Sequence, residues 1–154
     1  MSDLLDARLD KIDASHAQLH NLIFEIEQIL ETLVTNDTQL LEALAQIAPV
    51  TAIRGNVDTE PWARTLPATE VVNAGGVSIF MLHNLAQLDL KPEAAGFDVV
   101  IYGHTHHPKM EERNGVLYFN PGSAGPRRFN LPVSLGKLMI EEGKVRAKLV
   151  SLEV

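Results

Sequence analysis

"VVIYGHTHHPK", residues 99–109, is the stretch on which the reading of the chain turns. Val99, Val100, Ile101 and Tyr102 form a short β-branched and aromatic run behind the turn-forming Gly96, which predicts a buried strand. Gly103 ends the run. His104, Thr105, His106 and His107 therefore fall just past the strand's C-terminal end, the edge at which ligand sites gather in open α/β sheets. Neutral imidazole is the commonest protein ligand for metals, and two histidines one residue apart on a turn can both face inward. His-x-His in isolation equally describes a solvated loop, so the neighbouring strands have to decide.

Upstream, "PVTAIRGN", residues 49–56, predicts a strand ending at Gly55 and running into Asn56-Val57-Asp58. "TEVVNAGGVSIFMLH", residues 69–83, predicts two strands joined at Asn73 to Gly76, the second spanning Val77 to Leu82 and ending on His83. A short helical stretch around Pro92 to Ala95 leads into the opening strand. "KMEERNGVLYFNPGS", residues 109–123, reads as a hairpin turning at Asn114-Gly115, and the tail from Ser134 as another turning near Glu142-Gly143. Strands joined through helices beside strands joined by hairpins predict an α/β fold of mixed sheets packed in layers. Three strands end in polar candidates: Asn56 with Asp58, His83, and His104 with His106. Strand ends on neighbouring strands converge in space, which raises a metal site above three unrelated loops.

Composition limits what such a site can be. The 154 residues hold no cysteine, so any metal must be held by nitrogen and oxygen. The length fits one domain or a small domain with an appendage. No apolar run approaches the roughly 18 residues that span a bilayer, and no secretory-signal pattern opens the chain. A cytoplasmic location follows as the expectation. Net charge is −7, all of it in residues 1–48, where nine acidic residues face Arg8 and Lys11; the remainder balances. Neither part is basic, which argues against non-specific nucleic-acid binding.

The acidic region has its own pattern. Leu5, Leu9, Ile12, Leu19, Ile23, Ile26, Leu30 and Leu33 recur in steps of three and four, with His16 filling the one gap. That is the seam of a long heptad helix over 1–36, broadened by Leu4, Leu22, Phe24 and Ile29 towards a bundle. It predicts homo-oligomerisation through the helix or docking back onto the domain. Thr35, Asn36 and Asp37 break it and cap a second helix, "TQLLEALAQIA", which stops before Pro49. The expected organisation is a helix over 1–36 followed by a domain over 37–154.

"RGNVD", "LHN", "GHTHHP" and "NPGS", in this order and spacing, resemble the calcineurin-like metallophosphoesterase superfamily, and within it the small bacterial YfcE-type phosphodiesterases. The resemblance runs from about Leu40 to Val154. It implies a layered αββα sandwich, here incomplete at its N-terminal edge, and a two-metal centre of manganese, zinc or iron that hydrolyses phosphate esters. By the same resemblance Asn56, His83 and His104 ligate one ion and His106 the other. Asn56, Asp58, His83, His104 and His106 form the candidate catalytic set. Asn120 to Ser123 match a loop near the site, and Arg127 and Arg128 could give a phosphate bidentate contacts.

Three departures qualify the expected activity. Val57 stands where much of the superfamily has a histidine, and Asn84 where a glycine is usual. The superfamily's opening Asp-x-His and Gly-Asp motifs do not occur in this sequence. Without the bridging aspartate two close cations would repel strongly, so one well-held divalent ion is expected rather than two. The implied function is a metal-dependent phosphoesterase of reduced activity. The alternative is a non-catalytic interaction module oligomerising through the helix, a use the superfamily makes of this fold in the retromer subunit.

Overall fold

A computed structural model of the protein describes residues 37–125 and 127–153. The heptad helix expected over 1–36, with its seam and His16, lies outside the described residues. Two compact units divide the chain, Met1–Thr51 and Ala52–Val154. In the first, helix α1 spans Asp37–Ile47. Leu40, Leu44 and Ile47 are half-buried while Glu42, Ala45 and Gln46 are exposed, as an amphipathic stripe requires. Ala48 N–H still donates to Leu44, and Pro49 prevents a further turn.

The second unit is built on a five-stranded mixed sheet. Its strands are β1 (Thr69–Ala74), β2 (Val77–Leu82), β3 (Val99–Ile101), β4 (Lys109–Arg113) and β5 (Val116–Asn120). Their spatial order is β1-β2-β3-β5-β4, with β2, β3 and β5 parallel and the two outer strands antiparallel. A short helix α2 (Pro92–Ala95) lies in the crossover from β2 to β3. Strands β6 (Ser134–Glu141) and β7 (Lys144–Ser151) pair as a separate antiparallel ribbon.

Alternation along the three parallel strands explains the layers. Phe80, Leu82, Val100, Tyr102, Val116 and Tyr118 face one side and pack against Leu85, Leu88, Leu90 and Phe97 of the crossover. Val77, Ile79, Val99 and Phe119 face the other and pack against Leu138, Ile140, Val145 and Leu149 of the ribbon. Parallel strands covered on both faces read as continuous apolar runs, which is what β2, β3 and β5 are. Burial of each such side chain contributes about 1.5–3 kcal/mol. The three hairpins turn at Gly75-Gly76, Asn114-Gly115 and Glu142-Gly143, all with positive φ, the two-residue geometry that matches strand twist.

One expected strand is absent. Residues 49–55 carry no strand assignment. Arg54 N–H donates to Pro67 O at 2.9 Å, but proline has no N–H to return, so the pairing cannot propagate into a ladder. The loop after it contains a 3-10 turn, Pro61–Thr65, opened by proline at its first position. No helix among the described residues is long and apolar enough to cross a membrane.

Candidate metal centre

Because β2, β3 and β5 run parallel, their C-terminal ends Leu82, Ile101 and Asn120 share one edge of the sheet. His83 follows β2 directly. Tyr102 N–H continues the ladder to Phe119, and Gly103 N–H donates to His83 O at 3.0 Å, so the peptide before His104 is tied to His83 itself.

Three of the expected donors meet there. His83 Nε2 lies 2.7 Å from Asn56 Oδ1, His104 Nδ1 lies 3.2 Å from the same oxygen, and the two ring nitrogens are 3.3 Å apart. The rings stand edge to face, 5.2 Å between centroids. Two nitrogens and an amide oxygen cannot all accept from one another, and one proton leaves the trio under-satisfied. A cation suits it better. Donor atoms on one face of an ion with bonds of about 2.1 Å are separated by about 3.0 Å at right angles and about 3.4 Å in a tetrahedron. Two of the observed separations, 3.2 and 3.3 Å, fall in that range, and the 2.7 Å between His83 Nε2 and Asn56 Oδ1 is shorter, so that pair would open slightly around an ion.

The environment favours the ligating form of His83. Burial lowers its pKa below the ordinary histidine value, nearby His104 and His106 lower it further, and Asp58 opposes them. Asp58 also accepts a hydrogen bond from Gly55 N–H, closing the turn that carries Asn56. Gly55 packs closely on the site: a Cβ there would stand 3.0 Å from His83 Cε1 and Nδ1, so the ring would have to give by a few tenths of an ångström.

The other candidates are placed differently. His106 is half-buried, and among the described residues its ring makes no hydrogen bond to the trio. Val57 is 74 % exposed beside Asn56. Arg127 and Arg128 are exposed in the connection from β5 to β6, again with no side-chain hydrogen bond to the trio. Among the described residues no three His, Cys, Asp or Glu side chains form a group able to hold a metal. The trio's third donor is an amide oxygen. A groove beside the turn is lined by Leu85, Ala86, Tyr102, Thr105, Lys109 and Arg113.

Two residues at this edge have a role that the sequence does not specify, although the resemblance puts Asn120 in a loop near the site. Asn120, fully buried at the end of β5, donates through Nδ2 to Gly103 O at 3.0 Å and to Thr105 Oγ1 at 3.1 Å. Thr105 sits between two left-handed histidines, His104 at φ 67° and His106 at φ 56°. Such backbone costs of order 1–3 kcal/mol per non-glycine residue and persists only where surroundings impose it. Asn-Pro-Gly reads locally as a turn, and nothing in the sequence announces hydrogen bonds reaching 15 and 17 residues back.

Comparison with known proteins agrees with this architecture. Residues 12–143 match the calcineurin-like phosphoesterase superfamily domain, a match beginning upstream of Leu40. A probable metallophosphoesterase of Methanocaldococcus jannaschii, MJ0623, is 31% identical over 136 residues, covering 83% of this chain and 68% of the relative. Phosphodiesterase YfcE of Escherichia coli K12 is 32% identical over 113 residues, covering 65% of this chain and 58% of the relative. The chain thus spans under two thirds of YfcE. Among solved structures, a predicted phosphoesterase of Streptococcus pneumoniae superposes with a TM-score of 0.60 at 19% identity, over 83% of this chain and 82% of the other. Vps29 of Entamoeba histolytica complexed with Zn²⁺ gives 0.56 at 24%, over 73% and 75%. These two likenesses speak for the fold. The chain belongs to the calcineurin-like phosphoesterase superfamily, and membership brings the expectation of divalent-metal use.

Proposed function

We propose that this protein is a divalent-metal-dependent hydrolase of phosphate esters, of the phosphodiesterase kind, in which Asn56, His83 and His104 hold one zinc, manganese or iron ion. The observation that carries the reading is the convergence of Asn56 Oδ1, His83 Nε2 and His104 Nδ1 within 3.3 Å of one another. Such an ion supplies Lewis acidity towards a phosphoryl oxygen and lowers the pKa of water. Asp58 fixes the Asn56 turn, and His106 stands outside the trio, where it is the candidate ligand for a second, weakly held ion. Arg127 and Arg128 are the candidates for contacts to a phosphoryl oxygen, and the groove lined by Leu85, Ala86, Tyr102, Lys109 and Arg113 suits the organic part of an ester. Activity is reduced because the sequence lacks the superfamily's Gly-Asp motif that would supply a bridging carboxylate, and Val57 has no proton to give a leaving group. Association through the heptad seam of residues 1–36 belongs to the same proposal.

The test is hydrolysis of bis(p-nitrophenyl) phosphate. We expect weak turnover, stimulated by manganese and reduced at least about 100-fold in His104→Ala, as befits loss of a metal ligand. Metal-dependent turnover that survives His104→Ala would place the chemistry elsewhere. Its absence from the wild-type chain would favour the non-catalytic interaction module.

A further inference from the structure

His104 and His106 both hold backbone that their side chains disfavour, so something outside the turn keeps them there. We infer that Asn120, acting through Thr105, is a positioning residue that locks Gly103 to His107 in the conformation bringing His104 Nδ1 onto Asn56 and His83. The inference rests on the reading of those three as a metal-binding set.

The hydrogen bonds argue for a dedicated brace. Both protons of the Asn120 carboxamide are committed to the turn, one to Gly103 O and one to Thr105 Oγ1, so the residues on either side of His104 are held by one side group. Its Oδ1 accepts from Gly122 N–H at 3.0 Å, which fixes the carboxamide's orientation from its own loop. That loop is rigid in turn. Gly122 has φ +89°, a Cβ there would collide with Ser134 Oγ, and Ser134 Oγ donates to Pro121 O at 2.8 Å. On the turn's side, Thr105 N–H donates to Gly103 O at 2.8 Å and Thr105 Oγ1 accepts from His107 N–H at 3.3 Å. Every peptide that sets the direction of the His104 ring is thereby connected to one buried amide. A carboxylate could not replace it: aspartate has no N–H to donate and would set its charge against the Gly103 carbonyl.

A residue that only filled the core would be apolar at this depth, since burying an amide is unfavourable unless its bonds are made. Here all of them go to the site's turn or its anchor. Thr105 supplies the cleaner handle because it is exposed, so altering its hydroxyl removes one bond of the brace and displaces no core side chain.

The experiment is calorimetric titration of Zn²⁺ into the metal-stripped full chain, with thermal unfolding and the NMR signals of the histidine rings recorded without metal. Asn120→Asp buries a carboxylate and puts the fold at risk, so Thr105→Val and Thr105→Ser carry the argument. We expect Thr105→Val to bind zinc about tenfold more weakly, within the 10–100-fold range for partners that orient ligands. Thr105→Ser, which keeps the hydroxyl, should bind as wild type, and all three should unfold cooperatively without metal, Thr105→Val from a slightly lower stability because it leaves one Asn120 N–H unpaired. Equal affinity in Thr105→Val and wild type would overturn the proposal, as would an equal loss in Thr105→Ser. If the wild-type chain takes no zinc, the ligand reading fails, and the metal-free spectra then decide the brace. His104 ring signals displaced in Thr105→Val and restored in Thr105→Ser support it; unchanged signals in both refute it.

Discussion

The donors of the candidate centre come from two unlike supports. His83 and His104 extend from β2 and β3, whose residues Val77, Val99 and Val100 are almost wholly buried and whose ends are tied together by Gly103 N–H and the Asn120 carboxamide. Asn56 extends from a segment with no ladder, held by Arg54 N–H on Pro67 O, the Arg54 guanidinium on Leu66 O, and Asp58 on Gly55 N–H. One half of the site is part of the core. The other is a turn resting against it. Ligand geometry on the histidine side should therefore survive unless the fold or the Asn120–Thr105 brace fails, whereas on the asparagine side it can be lost by small local shifts with the fold intact.

Two glycines separate these cases, and the larger effect is at Gly136. Its missing Cβ would lie 2.3 and 2.4 Å from the Phe119 ring and 2.9 Å from Pro121 Cβ, on the face where β6 meets the sheet. Phe119 is 2 % exposed and has nowhere to go. Gly136→Ala should cost about 2–3 kcal/mol of stability, at the upper end of ordinary overpacking. Urea unfolding measures it, and zinc affinity of the fraction still folded should remain close to wild type. A stable Gly136→Ala with lost metal affinity would reverse the comparison.

The same division separates what the sequence discloses from what it hides. The hairpins were legible because Gly75-Gly76, Asn114-Gly115 and Glu142-Gly143 write their turns in two residues with positive φ. The apolar runs of β2, β3 and β5 announced burial on both faces, and the glycine after β3 marked where chemistry would gather. The strand expected over 49–55 was misread for a non-local reason. Its apolar pattern is strand-like, but a strand exists only with a partner, and the backbone it meets is Pro67. The bonds of Asn120 are hidden similarly, since its partners Gly103 and Thr105 are distant in sequence, and the resemblance gives only its place in a loop near the site. The left-handed backbone at His104 and His106 is likewise silent in the sequence, where alternate positions would share a face only in an extended strand.

Gly55 probes the weaker support. A Cβ there would press on His83 Cε1 and Nδ1 at 3.0 Å and on Asp58 Oδ2 at 3.1 Å. The neighbouring turn is exposed and the His83 ring is only half-buried, so the strain can be relieved by local shifts. Gly55→Ala should therefore weaken zinc binding about tenfold, the scale of lost ligand orientation, while the urea midpoint changes little. Calorimetry and unfolding on one preparation make the comparison. A large loss of stability with unaltered affinity would mean that the 55–58 turn is as much a part of the core as the histidine edge.

The smallest expected effect is on pH dependence, and it concerns the residue where the two supports touch. His83 belongs to the sheet edge but faces Asp58 of the Asn56 turn, with His104 and His106 as its other charged neighbours. Burial and the two histidines outweigh Asp58, so its folded pKa lies below the ordinary value of 6.5. The unfolded chain then holds more protons at pH values between the two, and stability rises with pH across that window. On acidification the metal-free protein should lose stability as the pH falls below 6.5 and through the lower folded value. Urea midpoints at about pH 7.5 and about pH 5.5, with chelator present, should fall further for wild type than for His83→Gln, which cannot titrate. Equal falls would mean that Asp58 offsets burial in full. The asparagine turn would then support His83 electrostatically as strongly as the sheet supports it sterically, and the contrast between the two halves would hold for backbone alone.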